Sequence, residues 1–345
     1  MKLETGKEIY EAGCVACHGP DGRGQPDTTL AVERPDTFPD FTDCAATTTE
    51  PDEFWKAIIH QGGPIRGFSP IMPAFGRALT DQQLEKVIGY LRTFCKEESW
   101  PRGELNLPRP LLTEKAFPEN ESVVTTGVNV RGGPGVTNLI THEQRFGVTN
   151  QLEVTLPVDF VRPAPGVWHG GFGDLALGWK RALFSSVSTG SILSVQGEVI
   201  LPTGSRARGL GSGVTTFETF AMYGQILPWK SFVQIQSGGE FPTDTQKAAR
   251  AFFFRSALGR TFNQNRGMGR LWAPMVELIA DREFETDART NLDVVPQFQA
   301  TLSTRQHVRA NLGVRIPATN TTGRPVQLMF YLLWDRQDGT LTEGW

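Results

Sequence analysis

From residue 121 onwards apolar residues recur at every second position, and this pattern restricts the fold more than any other feature of the chain. For example, Leu152, Val154 and Leu156 alternate with Glu153 and Thr155. Such a period matches β-strands, whose successive side chains point to opposite faces of a sheet. The last two-thirds of the chain is therefore predicted to be antiparallel β-structure with one apolar and one polar face.

Counting these runs predicts about twelve strands, an even number of the kind expected for a membrane β-barrel. The predicted spans are 121–131, 135–146, 149–162, 171–186, 191–203, 213–228, 231–242, 248–262, 268–282, 291–303, 306–318 and 325–335. Many of them exceed the ~9–11 residues that cross an apolar layer, so the strands would project beyond it.

The connections between predicted strands add a second indication. Those after the even-numbered strands are mostly tight, as at 147–148 and 188–190, whereas several others are longer and polar. Tight turns on one rim and long loops on the other are typical of an outer-membrane barrel with both chain ends in the periplasm. Tryptophans near strand ends, such as Trp168 and Trp229, fit the aromatic girdles of such barrels.

The alternative fold is a soluble sandwich or lipocalin-like barrel, which would show the same alternation. The polar faces are hydrophilic for a soluble core, so the membrane barrel is favoured. Charged residues of both signs would then point into the lumen, and internal ion pairs are favoured over a selective channel. These residues are Glu153, Asp159, Asp174, Lys180, Glu198, Glu277, Asp281, Arg309 and Arg315.

The first third of the chain contains the sequence Cys14-Val15-Ala16-Cys17-His18. The C-x-x-C-H spacing is the attachment signal for one covalent haem c: the two thiols bond the porphyrin, and His18 ligates the iron. A chance C-x-x-C in a zinc or thiol-redox site is the alternative. Flanking residues weigh against it, notably 6–10 and the glycine-rich stretch 19–24.

With the later Met-Pro segment and a closing helix, these flanks resemble class I cytochrome c over residues 4–95. That resemblance implies an all-α haem domain in which Met72, held in an extended loop by prolines on both sides, is the sixth ligand. His60 is the competing ligand and is interpreted as a capping or surface histidine. Two protein ligands would leave no open position on the iron, which favours electron transfer over bond chemistry.

Three helices are predicted in this domain, over 4–13, 51–60 and from about 81 to 95, with a loop over 20–48. Thr49 is expected to cap the second helix, and Thr80 with Gln83 forms a capping box for the third. Packing of the first helix against the last would bring Tyr10 close to Tyr90 or Leu91.

The chain is thus divided into a cytochrome c domain (1–96), a proline-rich linker (97–120) and an outer-membrane β-barrel (121–345). A disulfide between Cys44 and Cys95 is favoured, since haem c is attached outside the bacterial cytoplasm, and two buried thiols are the alternative. No signal peptide is visible, so a mature or trimmed sequence is expected.

The barrel segment is also similar, through Gly173–Gly178 and Leu201–Gly204, to the outer-membrane channels associated with meta-pathway phenol degradation. The favoured function is electron transfer by a monohaem cytochrome anchored in the outer membrane, with its haem domain in the periplasm. The alternatives are a porin or transporter for small molecules with the cytochrome as plug or redox gate, and an electron-accepting subunit of an enzyme complex.

The remaining expectations concern partners. A periplasmic redox protein and outer-membrane lipid are expected as partners, and the oligomeric state is left open. The net charge of −3 argues against nucleic acid. No catalytic constellation is visible in the sequence, so no enzyme activity is expected. His142, His169 and His307 are interpreted as surface or lumen residues.

Overall fold

The structure is a computed structural model that describes residues 3–25, 33–97, 99–164, 166–264 and 268–345. Its N-terminal domain, residues 3–97, contains five α-helices among the described residues. They are α1 (Gly6–Gly13), α2 (Val15–His18), α3 (Cys44–Thr47), α4 (Asp52–Gln61) and α5 (Asp81–Arg92). None of the helices in the described parts of the chain is both long and apolar enough to cross a membrane.

The core of this domain forms where α1 crosses α5. Ile9 and Tyr10 of α1 pack on the apolar stripe of α5, which includes Leu84 and Val87. The rings of Tyr10 and Tyr90 lie 5.4 Å apart, which confirms the predicted contact between the two helices. The capping box of Thr80 and Gln83 is also confirmed.

A disulfide joins Cys44, the first residue of α3, to Cys95, which follows α5. The predicted pairing is therefore confirmed. It closes a loop of 51 residues in sequence separation, for which loop-closure entropy gives a stabilisation of about 4 kcal/mol. This bridge holds the loop-rich stretch before α4 against the end of the domain.

Two local predictions in this domain are wrong. The stretch 20–48 is not all loop, since Asp43 caps the short helix α3 through the N–H groups of Ala45 and Ala46; residues 26–32 lie outside the described residues. Thr49 does not cap α4, because its hydroxyl donates back to the carbonyl of Ala46. The carboxylate of Glu104, 52 residues further on, accepts from the N–H of Asp52 instead, a tertiary contact that local sequence does not encode.

Fourteen strands follow in the described residues. They are β1 (Glu121–Arg131), β2 (Gly135–Phe146), β3 (Asn150–Ala164), β4 (Val167–Phe172), β5 (Leu175–Ser186), β6 (Ser191–Leu201), β7 (Thr216–Leu227), β8 (Ser231–Pro242), β9 (Ala251–Arg260), β10 (Phe262–Asn263), β11 (Leu271–Glu283), β12 (Asn291–Thr301), β13 (Val308–Pro317) and β14 (Val326–Asp335). All of the pairings among the described residues are antiparallel. Most join strands that follow one another along the chain, and in addition β3 pairs with β5, β9 with β11 and β1 with β14.

The sheet therefore closes on itself. Because β4 only extends the β3–β5 hairpin and β10 only extends β9 along β11, the closed barrel has twelve strands. This confirms the predicted fold class, and most predicted strand ends agree with the structure to within three residues.

The barrel is apolar outside and polar inside. On the outer face large apolar side chains remain exposed, such as Phe172 at 64% and Leu312 at 56%. On the inner face Lys180, Gln236 and Glu277 are fully buried. A soluble barrel would show the reverse distribution.

The two rims differ in their connections. One, which we call the short-turn rim, carries the turns 147–149, 187–190, 228–230 and 302–307 and both ends of the barrel chain. The connection 261–270 at this rim is longer than predicted. The opposite, long-loop rim carries 202–215, 243–250, 284–290 and 318–325. The N-terminal domain contacts the short-turn rim, where Lys230 pairs with Glu53 at 2.6 Å.

Residues 101–120 form what we call the re-entrant segment: its start contacts the N-terminal domain at Asp52, and from Leu105 onwards it lies inside the barrel. The sequence predicts a linker here, and the structure corrects that interpretation: Leu105, Lys115 and Phe117 are each 2% exposed or less. Apart from one turn of 3-10 helix at Gly103–Leu105 the segment has no regular structure. Its backbone groups must therefore find partners elsewhere.

The polar lumen supplies these partners. Glu277 accepts from the N–H groups of Leu111 (2.9 Å), Leu112 (3.1 Å) and Thr113 (2.7 Å). Tyr331 donates to the carbonyl of Arg109 at 2.7 Å. In all, side chains from ten of the twelve barrel strands bond to the segment: Glu121, Glu143, Gln151, Ser194, Gln234 and Gln236, Arg255, Glu277, Gln297 and Gln299, Asn311, and Tyr331.

Some charges in the lumen pair with one another, and of the residues predicted to do so Lys180 and Arg315 form ion pairs. Arg109 of the re-entrant segment lies 2.7 Å from both Glu121 and Glu143, and Arg315 lies 2.6 Å from Asp293. Asp174, predicted to point into the lumen, instead lies between β4 and β5. There its carboxylate accepts from the backbone of the 202–215 loop at Gly204 and Ser212.

Candidate haem-binding site

The C-x-x-C-H sequence forms the short helix α2 directly after α1. The N–H of Cys17 and the N–H of His18 both donate to the carbonyl of Cys14, at 3.1 and 2.9 Å. Tyr10 of α1 donates its buried hydroxyl to the carbonyl of Gly19 at 2.6 Å, which fixes the residue after the motif. The two thiols and the imidazole are thus presented from one rigid turn.

The thiols of the motif are both free. Cys14 is partly buried against the domain core and Cys17 is exposed. Burial raises the pKa of the Cys14 thiol to about 11. Because the other two cysteines form the disulfide, this pair remains available for thioether bonds to a porphyrin.

The imidazole of His18 lies between two phenylalanine rings, Phe38 at 4.9 Å and Phe41 at 5.0 Å. Burial lowers its pKa to about 4, so the ring is neutral near pH 7, the form that binds a metal. Among the described residues no group hydrogen-bonds to its buried Nδ1. Phe38 and Phe41 were missed in the sequence, because an irregular loop gives no periodic signal for its inward side chains.

Met72 lies in a loop fastened to the end of α4. Its carbonyl accepts from the N–H of Gly63 at 3.1 Å, and the N–H of Phe75 donates to the carbonyl of Ile59 at 2.9 Å. The side chain is partly buried against the same core cluster as Cys14. Phe41, which contacts His18, is a member of that cluster too.

The structure therefore gathers Cys14, His18 and Met72 around one apolar cluster, with Cys17 at its surface. Two free thiols, a neutral imidazole with an unpartnered nitrogen and a thioether form the donor set of haem c. The residues present fit that group.

The other histidines lie elsewhere. His60 lies in the last turn of α4, half-buried, and its Nδ1 lies 2.7 Å from the side-chain amide of Gln61. His142 and His169 are on or near the barrel surface. His307, by contrast, is fully buried in a short-turn-rim connection, where it bonds Ser303 and the carbonyl of Thr340.

Comparison with models of protein families matches residues 3–94 to Cytochrome c. Cytochrome c-555 of Prosthecochloris aestuarii is 32% identical over 91 residues, which cover 26% of this chain and 84% of that protein. The chain belongs to the cytochrome c family.

That assignment rests on the N-terminal domain alone. Among solved structures, the barrel is similar to the COG4313 outer membrane channel from Pseudomonas putida F1, with a TM-score of 0.44 and 14% identity over 66% of this chain and 99% of that one. It is also similar to the KdgM porin, with a TM-score of 0.41 and 5% identity over 62% of this chain and 98% of that one. The protein thus joins a cytochrome c domain, which implies haem c and electron transfer, to a twelve-stranded β-barrel.

Proposed function

We propose that this cytochrome is a monohaem electron-transfer protein anchored in the outer membrane by its own barrel. The observation that carries the proposal is the grouping of Cys14, Cys17, His18 and Met72 around one apolar cluster. His18 and Met72 would ligate the iron, and Cys14 and Cys17 would bond the porphyrin. Bound there, haem c supplies reversible one-electron chemistry, and a thioether ligand favours the ferrous state.

The inverted polarity of the barrel supports the membrane location. A strand of 11 residues such as β1, at ~3.3 Å per residue and a tilt of ~40°, rises about 28 Å, enough for an apolar band ~25 Å tall. The exposed phenylalanines and leucines of the outer face would contact lipid. Conversely, they would be an aggregation hazard in water.

The two rims support a proposal for the orientation. Barrels of this kind keep short turns and both chain ends on the periplasmic side. The N-terminal domain contacts the short-turn rim, so we place the haem domain in the periplasm, where it would exchange electrons with a soluble redox protein. One haem at this rim does not bridge the apolar band. Tethering at the membrane is therefore the function we assign to the barrel.

A porin or transporter is the competing proposal, and the re-entrant segment counts against it. A segment that forms hydrogen bonds to ten strands of the barrel would obstruct the lumen near Glu277. Conductance through the native protein in a planar bilayer would favour the transporter, particularly if it depended on the haem oxidation state.

The ligation is tested with the full-length protein solubilised from outer membranes. We expect a reduced-minus-oxidised spectrum of one haem c and a near-infrared sulfur-to-iron band that disappears in Met72→Ala. A wild-type protein without that band would have an open or histidine-ligated iron. The electron-transfer proposal would then fail in its present form.

A further inference from the structure

The N-terminal domain contacts the barrel at several points, among them Glu53 and Ala45, and one of these contacts lies on the segment that leads into Met72. Gly63–Arg66 forms a turn of 3-10 helix after α4, and Gly67 and Phe68 continue it towards the methionine. The barrel contributes the turn 302–307 and the C-terminal tail, residues 336–345. Arg305, in the 302–307 turn, lies between the N-terminal domain and the C-terminal tail, and it is 7% exposed.

Arg305 reaches both sides of this contact. Its Nη2 donates to the carbonyl of Gly67 at 3.0 Å, and its guanidinium lies 4.7 Å from the centre of the Phe68 ring. On the barrel side its Nη1 donates to the carbonyl of Asp338 at 3.0 Å and to the carboxylate of Glu343 at 3.2 Å. A guanidinium has enough fixed donors to hold all of these partners at once.

At this contact the backbone at Gly67 and the backbone of the C-terminal tail approach so closely that no side chain fits between them. Gly67 has φ +67°, and a Cβ built on it would lie 2.8 Å from the Cα of Gly344. The carbonyl of Gly344 accepts from the N–H of Arg305 at 3.1 Å. The tail and the 302–307 turn therefore form one surface against Gly67.

A short hydrogen-bonded path joins this surface to the methionine. The N–H of Phe68 donates to the carbonyl of Gly63 at 3.0 Å, and the N–H of Gly63 donates to the carbonyl of Met72 at 3.1 Å. Gly63 is also held against Ser69, whose carbonyl would lie 2.2 Å from an added Cβ. Displacement of Gly67 and Phe68 would thus shift the residue that carries the thioether.

We propose that Arg305 is a positioning residue through which the barrel holds the Met72 loop closed over the haem. This inference rests on the His18/Met72 ligation proposed above. Arg305 does not touch the iron or its ligands; it acts through Gly67 and Phe68. The barrel would then stabilise the methionine ligand as well as anchor the domain.

The consequence is a change in how readily the methionine leaves the iron. A small external ligand such as imidazole binds ferric haem only when Met72 moves away, so its apparent affinity reports that opening. Without the charge-assisted bond to Gly67, opening should become about tenfold easier and imidazole should bind about tenfold more tightly.

The experiment compares full-length wild type, Arg305→Gln and a matched control, Lys230→Gln, by imidazole titration and by the sulfur-to-iron band. Lys230 also joins barrel to domain, but it pairs with Glu53 on α4 and is about half exposed. Its loss should alter imidazole affinity by less than about twofold. Phe68→Ala removes the ring from the domain side and leaves the barrel intact, so it serves if Arg305→Gln fails to fold.

Tighter imidazole binding in Arg305→Gln and Phe68→Ala, with Lys230→Gln near wild type, would support the inference. Wild-type affinity in both variants would overturn it and leave the ligation proposal standing. Equal effects in Arg305→Gln and Lys230→Gln would also overturn it, because they would report general docking. A wild-type protein without the sulfur-to-iron band would refute the ligation itself.

Discussion

The hydrogen bonds of Glu277 lead to a prediction about the lumen: Glu277→Ala should release the re-entrant segment. In the native structure one carboxylate oxygen accepts from the N–H groups of Leu111 and Leu112, and the other accepts from Leu112, the N–H of Thr113 and its hydroxyl. Three successive backbone donors thus depend on one buried side chain.

The magnitude follows from counting the backbone donors left without a partner. Leu111 keeps a second acceptor, the amide oxygen of Gln297 at 3.1 Å. The N–H groups of Leu112 and Thr113 lose theirs, at about 1–3 kcal/mol each for a buried donor. Water entering the space left by the side chain offsets part of this, so the net cost is about 2–4 kcal/mol. The segment should leave its site about thirty to a thousand times more often.

Single-channel recording in a planar bilayer measures this directly. The wild-type protein should be silent or open rarely, and Glu277→Ala should show frequent openings. Glu283→Ala is the matched control, because Glu283 lies on the same strand but is exposed and bonds to none of the segment.

Two results would contradict the argument. If Glu277→Ala stays as silent as wild type while its haem spectrum and barrel remain intact, the carboxylate does not hold the segment in place. If wild type already conducts steadily, the segment does not obstruct the lumen.

Three further predictions concern the N-terminal domain. Cys44→Ala should lower the free energy of unfolding of the domain by about 4 kcal/mol in denaturant titration followed by haem absorbance, and an unchanged midpoint would contradict the loop-closure estimate. Tyr10→Phe removes the buried bond to Gly19 and should cost about 1 kcal/mol in the same titration; a loss below the error of the method would mean that the bond contributes nothing. Burial and the carboxyl of Glu50 hold the pKa of Asp338 well above its usual range. The contact between the N-terminal domain and the C-terminal tail of the barrel should therefore weaken as pH rises through that pKa. Hydrogen exchange at the junction should show this pH dependence in wild type and not in Asp338→Asn, and equal behaviour of the two proteins would refute it.

The barrel could be predicted because its determinants are local. Each strand shows the alternation seen in β14, where Phe330 and Leu332 point outwards and Tyr331 points inwards. The number and order of the strands therefore follow without long-range information. Closure is the natural outcome for an even number of such strands. The haem motif is equally local, since five consecutive residues specify it.

Apart from the locally capped helix α3, the wrong predictions have tertiary causes. The re-entrant segment has the proline content and irregularity of an exposed linker, and only the lumen side chains that bond its backbone make burial possible. In the same way Glu104 replaces Thr49 at the start of α4 from a distance in sequence. Arg305 likewise has no motif that would connect it with Phe68.

The re-entrant segment enters and leaves the barrel at the same rim, so it could withdraw as a loop without separating any two strands. Withdrawn, its roughly twenty residues would span at most about 70 Å when fully extended. The withdrawn segment would act as a flexible tether between the N-terminal domain and the barrel. Docked, the N-terminal domain has one fixed position beneath the barrel; released, it would move within a hemisphere of that radius, which under the proposed function would widen its reach towards a redox protein.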